Sequence, residues 1–513
     1  MALQDMQRNI KHVVHLMLEN RGFDHTLGWL WDNANPPKMN IPVRRPGEAR
    51  FYGVPQDSSG SPALWFPADA SFYQSGPYTR GRKYVNKGLW GYCYMPLADP
   101  GEGWDDVIQQ IFGPAGEMDL PTEKLMRGFY LDYVNQGIGP GSDNDILATG
   151  TPTDLPVLNG LAAAYAVSDT WFASAPTETN PNRAFSLAGT SEFRKNNLSF
   201  DGVPYAGLRT IFGVLNDTNH AWKLYADDTW TDGGLYFTQY MFPEGMDKGQ
   251  FGNISDFASD VITDSLPVFS YLEPTFATES VENPLGNDYH PPGSVYEGET
   301  FLKYVYDALT ANQQVFDKTL LIVTFDEHGG TLDHVVPPHA VPPDELDPPY
   351  IFGRYGLRVP TILISPWVPP GCVFRASYYP GGDGGTPFDH TSVLATLCKW
   401  LKIPYQRPTD VGWLRHRTAS APTFENVITS RRNDVIASVT PYDCTDLAAT
   451  SRPSGLAPSQ AKALIKRITG FRNGDPRLDA LVQQLETTCR SRRESGEFLQ
   501  QLRREHGAVR RDR

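Results

Sequence analysis

The sequence predicts an α/β protein built on a mainly parallel sheet, and three observations carry that reading. Unbroken apolar runs such as Ile10–Leu18 (IKHVVHLML) and Leu320–Phe325 (LLIVTF) are too uniform for strands with one wet face and suit strands buried on both. Helical periodicity lies between such runs: in GETFLKYVYDALTAN, Phe301, Val305, Ala308 and Leu309 fall on one face. The two patterns alternate along the chain, which layers helices on both sides of the sheet.

In chain order, Ile10–Leu18 is the first strand and gives way to Glu19 and Asn20. Residues 51–150 are rich in Gly, Pro and Tyr with weak periodicity, a long excursion over one end of the sheet that shapes a pocket. The segments Ala164–Phe172, Pro267–Pro274 and Val359–Val368 repeat the apolar signature, and a short helix is expected over Asn182–Leu187. Leu320–Phe325 ends, like the first strand, on carboxylates, Asp326 and Glu327. After residue 443 the SRPSG linker precedes helical patterns over 458–469, 476–489 and 492–505. The expected division is therefore a catalytic unit of residues 1–443, with a linker and small helical region over 444–513.

Composition narrows the function. With 513 residues, 40% hydrophobic and 20% charged, the chain buries a large core, and its formal charge of −14 argues against general nucleic-acid binding. No stretch approaches the roughly 20 apolar residues of a transmembrane span. The opening MALQDMQRNIKHVV carries no export signal, and Cys93, Cys372, Cys398, Cys444 and Cys489 lack CxxC spacing. Neither a disulfide framework nor a cysteine zinc site is expected, and the chain is placed in the cytoplasm or exported without a signal peptide. Residues 490–513 hold eight Arg against four acids, leaving an acidic body of −18 and a +4 tail that suits either contact with anionic lipid or an acidic partner or, more simply, a solvated chain end.

Open α/β sheets bind ligands beyond the C-terminal ends of their strands. Glu19, Asn20, Asp326 and Glu327 fall there, three carboxylates and an amide oxygen that together call for a hard or borderline divalent cation. Taken singly, each carboxylate equally suits a helix cap or the surface. Thr179, in TETNPNRAFSLAGTS, stands near a helix N-terminus where backbone N–H groups favour an anion, the setting of a nucleophile that attacks phosphorus or of a plain capping residue. Five histidines lie in compact polar motifs: His25, His290, His328, His334 and His390. His290 and His390, each in a loop before a helical stretch, are the better candidates for phosphate contact or proton donation.

As a set, IKHVVHLMLENRGFDHTLGWL, PTETNPNRAFSLAGTS, NDYHPPGSVYEGETFLKYVYDAL, LLIVTFDEHGGTLDHVVPP, YGLRVPTILISPWVPPG and FDHTSVLATLCKWL resemble, in order, the phosphoesterase family of bacterial and plant non-specific phospholipases C and related bacterial acid phosphatases. The resemblance runs from about Ile10 to Leu401 and implies an alkaline-phosphatase-like sandwich with metal-assisted phosphoryl transfer. It implies Glu19, Asn20, Thr179, Asp326 and Glu327 as ligands of one divalent metal ion (Ca, Mg, Mn, Fe or Zn) and Thr179 as nucleophile. His290 looks like the residue that contacts the phosphoryl group and would protonate the leaving oxygen, and Asn182, His334, His390 and Glu102 fill substrate-binding positions. The implied reaction is phospholipase C cleavage of glycerophospholipid through a phosphothreonine, with aromatic residues of the excursion as a lip for acyl chains. The alternatives are an acid phosphatase acting on small phosphomonoesters and a non-catalytic metal-binding interaction protein of the same fold. Two departures bear on substrate: DPGEGW carries Glu102 where relatives often have His, and MRGF carries Arg127 where many have an acid.

Overall fold

The computed structural model describes residues 2–442 apart from 75–80, 137–142, 198–204, 228–235, 277–285, 345–351, 405–414 and single residues within 90–97, 115–119, 206, 244–249 and 383; beyond 442 it describes 476–488 and 498. Nine strands form the central sheet: β1 (His12–Leu18), β2 (Met39–Ile41), β3 (Ala166–Ser168), β4 (Trp222–Ala226), β5 (Gln250–Asn253), β6 (Phe269–Glu273), β7 (Thr319–Phe325), β8 (Thr361–Ile364) and β9 (Cys372–Phe374). Their spatial order is β5-β4-β6-β1-β7-β8-β3-β9-β2. Every pairing is parallel except those of β8, which runs against both its neighbours.

The central strands are the apolar runs of the sequence. All seven residues of β7 are buried, as are the last six of β1, because each strand is covered on both faces. The helix Val295–Thr310 packs against both Pro156–Ala164 and Ile254–Ile262, and the helix Thr391–Leu401 against both Ala2–Asn9 and Thr179–Ala188. The helix over Val295–Thr310 buries Phe301, Leu302, Val305 and Leu309, the face expected of its periodicity. At the far end of the chain, Pro476–Thr488 is helical and Leu478 is buried in the main core.

Three expectations change. Among the described aromatic residues of the excursion, Phe66, Phe112, Phe129, Tyr130 and Tyr133 pack with Trp29 and Val107 as a second hydrophobic core rather than forming a lip, while Tyr84 stays exposed. Rings of that size remove too much apolar surface from water to remain at a rim when a core is within reach. Cys93 is disulfide-bonded, to a partner outside the described residues, while Cys372 and Cys398 are buried free thiols. Scattered spacing hides a pair that only the fold brings together. The third change concerns Ala164–Phe172, which is two strands, since the chain leaves the sheet after Ser168 and Trp171–Phe172 pairs instead with Phe388–Asp389. Of the helices expected in the C-terminal region, that over 458–469 lies outside the described residues, as does 492–505 apart from Phe498. Among the described residues no helix is long and apolar enough to cross a membrane.

Candidate active site

Strands β1 and β7 are parallel neighbours in register from His12↔Thr319 to Leu18↔Phe325, so Glu19 and Asp326 leave the sheet side by side. The two exits are laced together. Asp326 N donates to Leu18 O (3.1 Å), Asn20 N donates to Asp326 Oδ1 (3.0 Å), and Glu327 N donates to the same oxygen (2.7 Å). Asn20 takes a left-handed backbone with φ of 55°, which Asn tolerates better than most residues. Gly329 (φ +60°) lets the second exit close over the first: a Cβ there would stand 2.2 Å from Asn20 O.

Thr179 enters from the helix Thr179–Ala188, which begins three residues earlier than Asn182, so the hydroxyl sits on the first helical residue. Its Oγ1 lies 3.2 Å from Glu19 Oε2 and 3.3 Å from Asn20 Oδ1. One turn on, the buried Arg183 donates to the other oxygen of Glu19 through Nη2 (2.5 Å) and Nε (3.0 Å), and its Nε lies 3.5 Å from Asp326 Oδ2. Burial alone would lower the Arg183 pKa, but Glu19, Tyr271 and Asp326 hold it above the ordinary value. Arg183 thus fixes one oxygen of Glu19 and leaves Oε2 facing Thr179.

This cluster fits a cation. Asp326 Oδ2 and Glu327 Oε1 are buried without a hydrogen-bond partner among the described residues, a costly arrangement for charged oxygens. Burial, then Asp326, raises Glu19 well above the ordinary carboxylate value; burial, then Glu102 and Asp326, does the same for Glu327. Glu19 Oε2 and Asn20 Oδ1 meet at Thr179 Oγ1, hard oxygens of the kind a divalent ion takes; among the described residues the carboxylate and histidine groups whose donor atoms converge are Asp99, Glu102 and His290 beside them, and Asp24, Asp333 and His334.

His290 closes one wall. Its Nδ1 donates to Pro291 O (2.5 Å), since a carbonyl only accepts, and Nε2 then receives Asn20 Nδ2 (2.9 Å). The same amide nitrogen donates to Glu102 Oε2. A carboxylate that can only accept thereby sets the amide's orientation, turning Asn20 Oδ1 toward Thr179. Glu102 Oε2 also lies 3.8 Å from His290 Nε2, and Asp99 Oδ1 lies 3.8 Å from its Nδ1.

The remaining candidates sit elsewhere. His390 lies against the exit of β7, donating through Nε2 to Asp326 O (2.6 Å), and burial lowers its pKa. Asn182 spends its amide on the loop before Thr179: Oδ1 accepts from Ala175 N (2.9 Å) and Nδ2 donates to Thr177 O (2.8 Å). His334 Nδ1 pairs with Asp24 Oδ2 (2.6 Å), whose other oxygen accepts from Arg358 Nη2 (2.8 Å). Arg358 also contacts Asp333, so this second acidic cluster already has a cation. Sequence reasoning missed Arg183, although its i+4 spacing from Thr179 puts both on one helix face. It also missed Gln110, whose Oε1 accepts from His328 Nε2 (2.7 Å) while its Nε2 donates to Gly101 O (2.7 Å), locking the excursion onto the site.

Comparison with known proteins gives the family. The chain is 30% identical over 493 residues to non-specific phospholipase C6 of Arabidopsis thaliana, covering 93% of this chain and 84% of that one. It is 27% identical to a non-hemolytic phospholipase C of Burkholderia pseudomallei, covering 75% and 54% respectively. Among solved structures it is similar to an alkaline phosphatase superfamily protein of Vibrio parahaemolyticus, with 14% identity, coverage of 56% and 68%, and a TM-score of 0.29. The model of the Phosphoesterase family matches residues 10–404, from the strand that delivers Glu19 to just past the helix that follows His390. That match spans both strand exits, the threonine helix and the histidine wall, and the chain belongs to the phosphoesterase family, a phosphoric ester hydrolase.

Proposed function

We propose that this hydrolase is a metal-dependent phospholipase C that cleaves glycerophospholipid to diacylglycerol and a phosphorylated head group through a phosphothreonine. The observation that carries the reading is the approach of Thr179 Oγ1 to Glu19 Oε2 and Asn20 Oδ1 at the start of a buried helix, within a site of orphaned carboxylate oxygens. The names of the relatives support the substrate class.

Glu19, Asn20, Thr179, Asp326 and Glu327 would hold the metal, which supplies Lewis-acid charge stabilisation and a lower hydroxyl pKa when bound. Thr179 Oγ1 forms the bond to phosphorus as the diacylglycerol oxygen leaves, and the hydroxyl proton passes to solvent, because Glu19 Oε2, 3.2 Å away, is one of the oxygens that would hold the metal. The leaving oxygen takes its proton from the imidazolium form of His290, in which Nε2 no longer accepts from Asn20 Nδ2; water then displaces the phosphorylated head group from Thr179. Arg183 keeps Glu19 in place throughout, so catalysis rests mainly on positioning and charge.

The test joins metal analysis of the purified chain to two assays, phosphatidylcholine vesicles and p-nitrophenyl phosphate, each with and without chelator. Diacylglycerol release that chelator abolishes and added divalent ion restores is the expected result. Turnover of the monoester alone, with no diacylglycerol at any metal concentration, would replace this reading with that of a small-molecule phosphatase.

A further inference from the structure

The chain carries a net charge of −14, yet one face of its excursion gathers cations. Trp65–Pro67 and Arg82–Tyr84 pair antiparallel in the register Trp65↔Tyr84, Phe66↔Lys83 and Pro67↔Arg82. Opposed residues share a face, so Phe66 and Lys83 turn to the second core, where Phe66 meets Phe129 and Lys83 lies 5.0 Å from the ring centre of Tyr130. Trp65, Arg82 and Tyr84 take the outer face, with Tyr84 48% exposed. The Arg82 guanidinium lies 4.3 Å from the Trp65 ring centre and that of Arg127 lies 4.7 Å from it. Arg127 also donates to Trp65 O through Nη1, but its Nε is buried without a hydrogen-bond partner, as is the Tyr73 hydroxyl. Burial lowers the Arg127 pKa, the phenol of Tyr73 raises it and the charge of Arg82 lowers it again, so the three groups lie in one another's field. Lys124 Nζ, which donates to Tyr73 O (3.0 Å) and Gln74 O (3.3 Å), is a third cation there. Among the described residues no carboxylate pairs with Arg82, Lys124 or Arg127; Asp69, the next acid along the ribbon, turns Oδ1 to Ser71 N (2.9 Å).

We propose that this face docks on an anionic membrane surface, taking a lipid phosphate between Arg82 and Arg127 and setting Trp65 and Tyr84 among the head groups. An oxyanion answers the two like charges held at one indole and offers acceptors to the orphaned donors, Arg127 Nε and Tyr73 Oη, whose burial otherwise costs stability. The cations stand on an open two-stranded ribbon with an exposed phenol beside them, which fits an extended surface better than a small enclosed ligand, and indole and phenol rings favour the head-group layer. The face is separate from the reacting site. The helix Trp104–Phe112 begins just after Glu102 and runs for nine residues to Gly113, where an added Cβ would stand 2.3 Å from Tyr73. At 1.5 Å per residue that helix spans about 14 Å. Docking therefore goes beyond the phospholipase reading and does not depend on which ester is cleaved.

The test is cosedimentation of the full chain, in chelator and about 0.1 M salt, with vesicles of phosphatidylcholine alone or mixed with phosphatidylglycerol. Chelator stops metal-dependent turnover, so binding alone is read, and the arginine-rich residues 490–513 are the same in every variant and cancel in the ratio. Arg82→Gln and Arg127→Gln are each expected to weaken partition onto the mixed vesicles about fivefold, and to leave partition onto phosphatidylcholine within twofold of wild type. Should Arg127→Gln, which loses the bond to Trp65 O, fail to fold by thermal melting, Arg82→Gln decides, since its exposed side chain rests on the indole. Wild type that binds both kinds of vesicle equally, or Arg82→Gln that binds the mixed vesicles within twofold of wild type, overturns the docking face. A rise in wild-type melting temperature with inorganic phosphate that Arg82→Gln loses, beside equal vesicle binding, also overturns it and makes the patch a site for a soluble anion. Each of these results leaves the phospholipase reading to its own assay of diacylglycerol release.

Discussion

Thr179 is 7% exposed, and its hydroxyl is held by two side chains that arrive from a different element. A nucleophile positioned in this way contributes to chemistry far more than to stability. Thr179→Ala is expected to lower kcat by at least about a thousandfold, while the melting temperature moves by no more than about 2 °C. Steady-state kinetics beside thermal unfolding checks this, and retained turnover in the variant would remove Thr179 from the mechanism. The sequence shows Glu19, Asp326 and Glu327 because each follows an apolar run that can only be a strand. It ranks His290 above His334 only by its place before a helical stretch and says nothing of what each ring meets. The distinction lies in Asp24, 310 positions from His334 in the chain yet 2.6 Å from its ring. Histidine chemistry depends on the partner, and the partner is a property of the fold.

At the scale of elements, β1 and β7 position the site and also carry a buried titratable group. His15, midway along β1, contacts Thr324 Oγ1 of β7 through Nε2 (2.8 Å) and packs edge-on against Tyr271 of β6. Burial first, then the charges of His390 and Arg183, lowers its pKa from 6.5 to about 3. The unfolded chain takes up this proton near pH 6.5 and the folded chain resists it until about pH 3. The contribution of His15 is thus fully present above pH 6.5 and is lost as pH falls toward 3, at about 1.4 kcal/mol per pH unit within that window. Urea unfolding of wild type and His15→Leu should show their difference shrinking by about 2 kcal/mol between pH 6.5 and 5. A difference that stays flat would assign the acid sensitivity to another group. Strands of five or more apolar residues are visible from sequence for the same reason that His15 is buried, since both faces are covered. The three-residue strands β2 and β9 are too short to show a period. The direction of β8 is equally hidden: TILI is as apolar either way round, and orientation is decided by where the chain re-enters the sheet.

The whole molecule stores electrostatic cost at one end of its sheet. In the metal-free chain Glu19 and Glu327 have raised pKa values, from burial first and then from neighbouring carboxylates. Their stability contribution is present below the ordinary carboxylate value and is lost as pH rises through the raised one. A divalent ion relieves that cost and competes with protons for the same oxygens. The rise in melting temperature on adding metal to chelator-treated protein is therefore expected to be larger at pH 8 than at pH 5. Equal shifts at the two values would place metal binding away from these carboxylates. The net charge of −14 gives no hint of this concentration, because it averages a site where acids are crowded with a tail rich in arginine. The reversal of β8 has a further effect on how the reactive edge is held. Its neighbours reach the reactive edge with residues that follow them, whereas β8 opposes Thr324 with Thr361 and so meets that edge with Arg358 and Val359, which precede it. One incoming segment thus meets that edge without supplying any of the proposed metal ligands; it is fully buried and Arg358 is spent on Asp24 and Asp333, so this stretch braces the edge while the proposed ligands come from the outgoing turns of β1 and β7 and from the threonine helix.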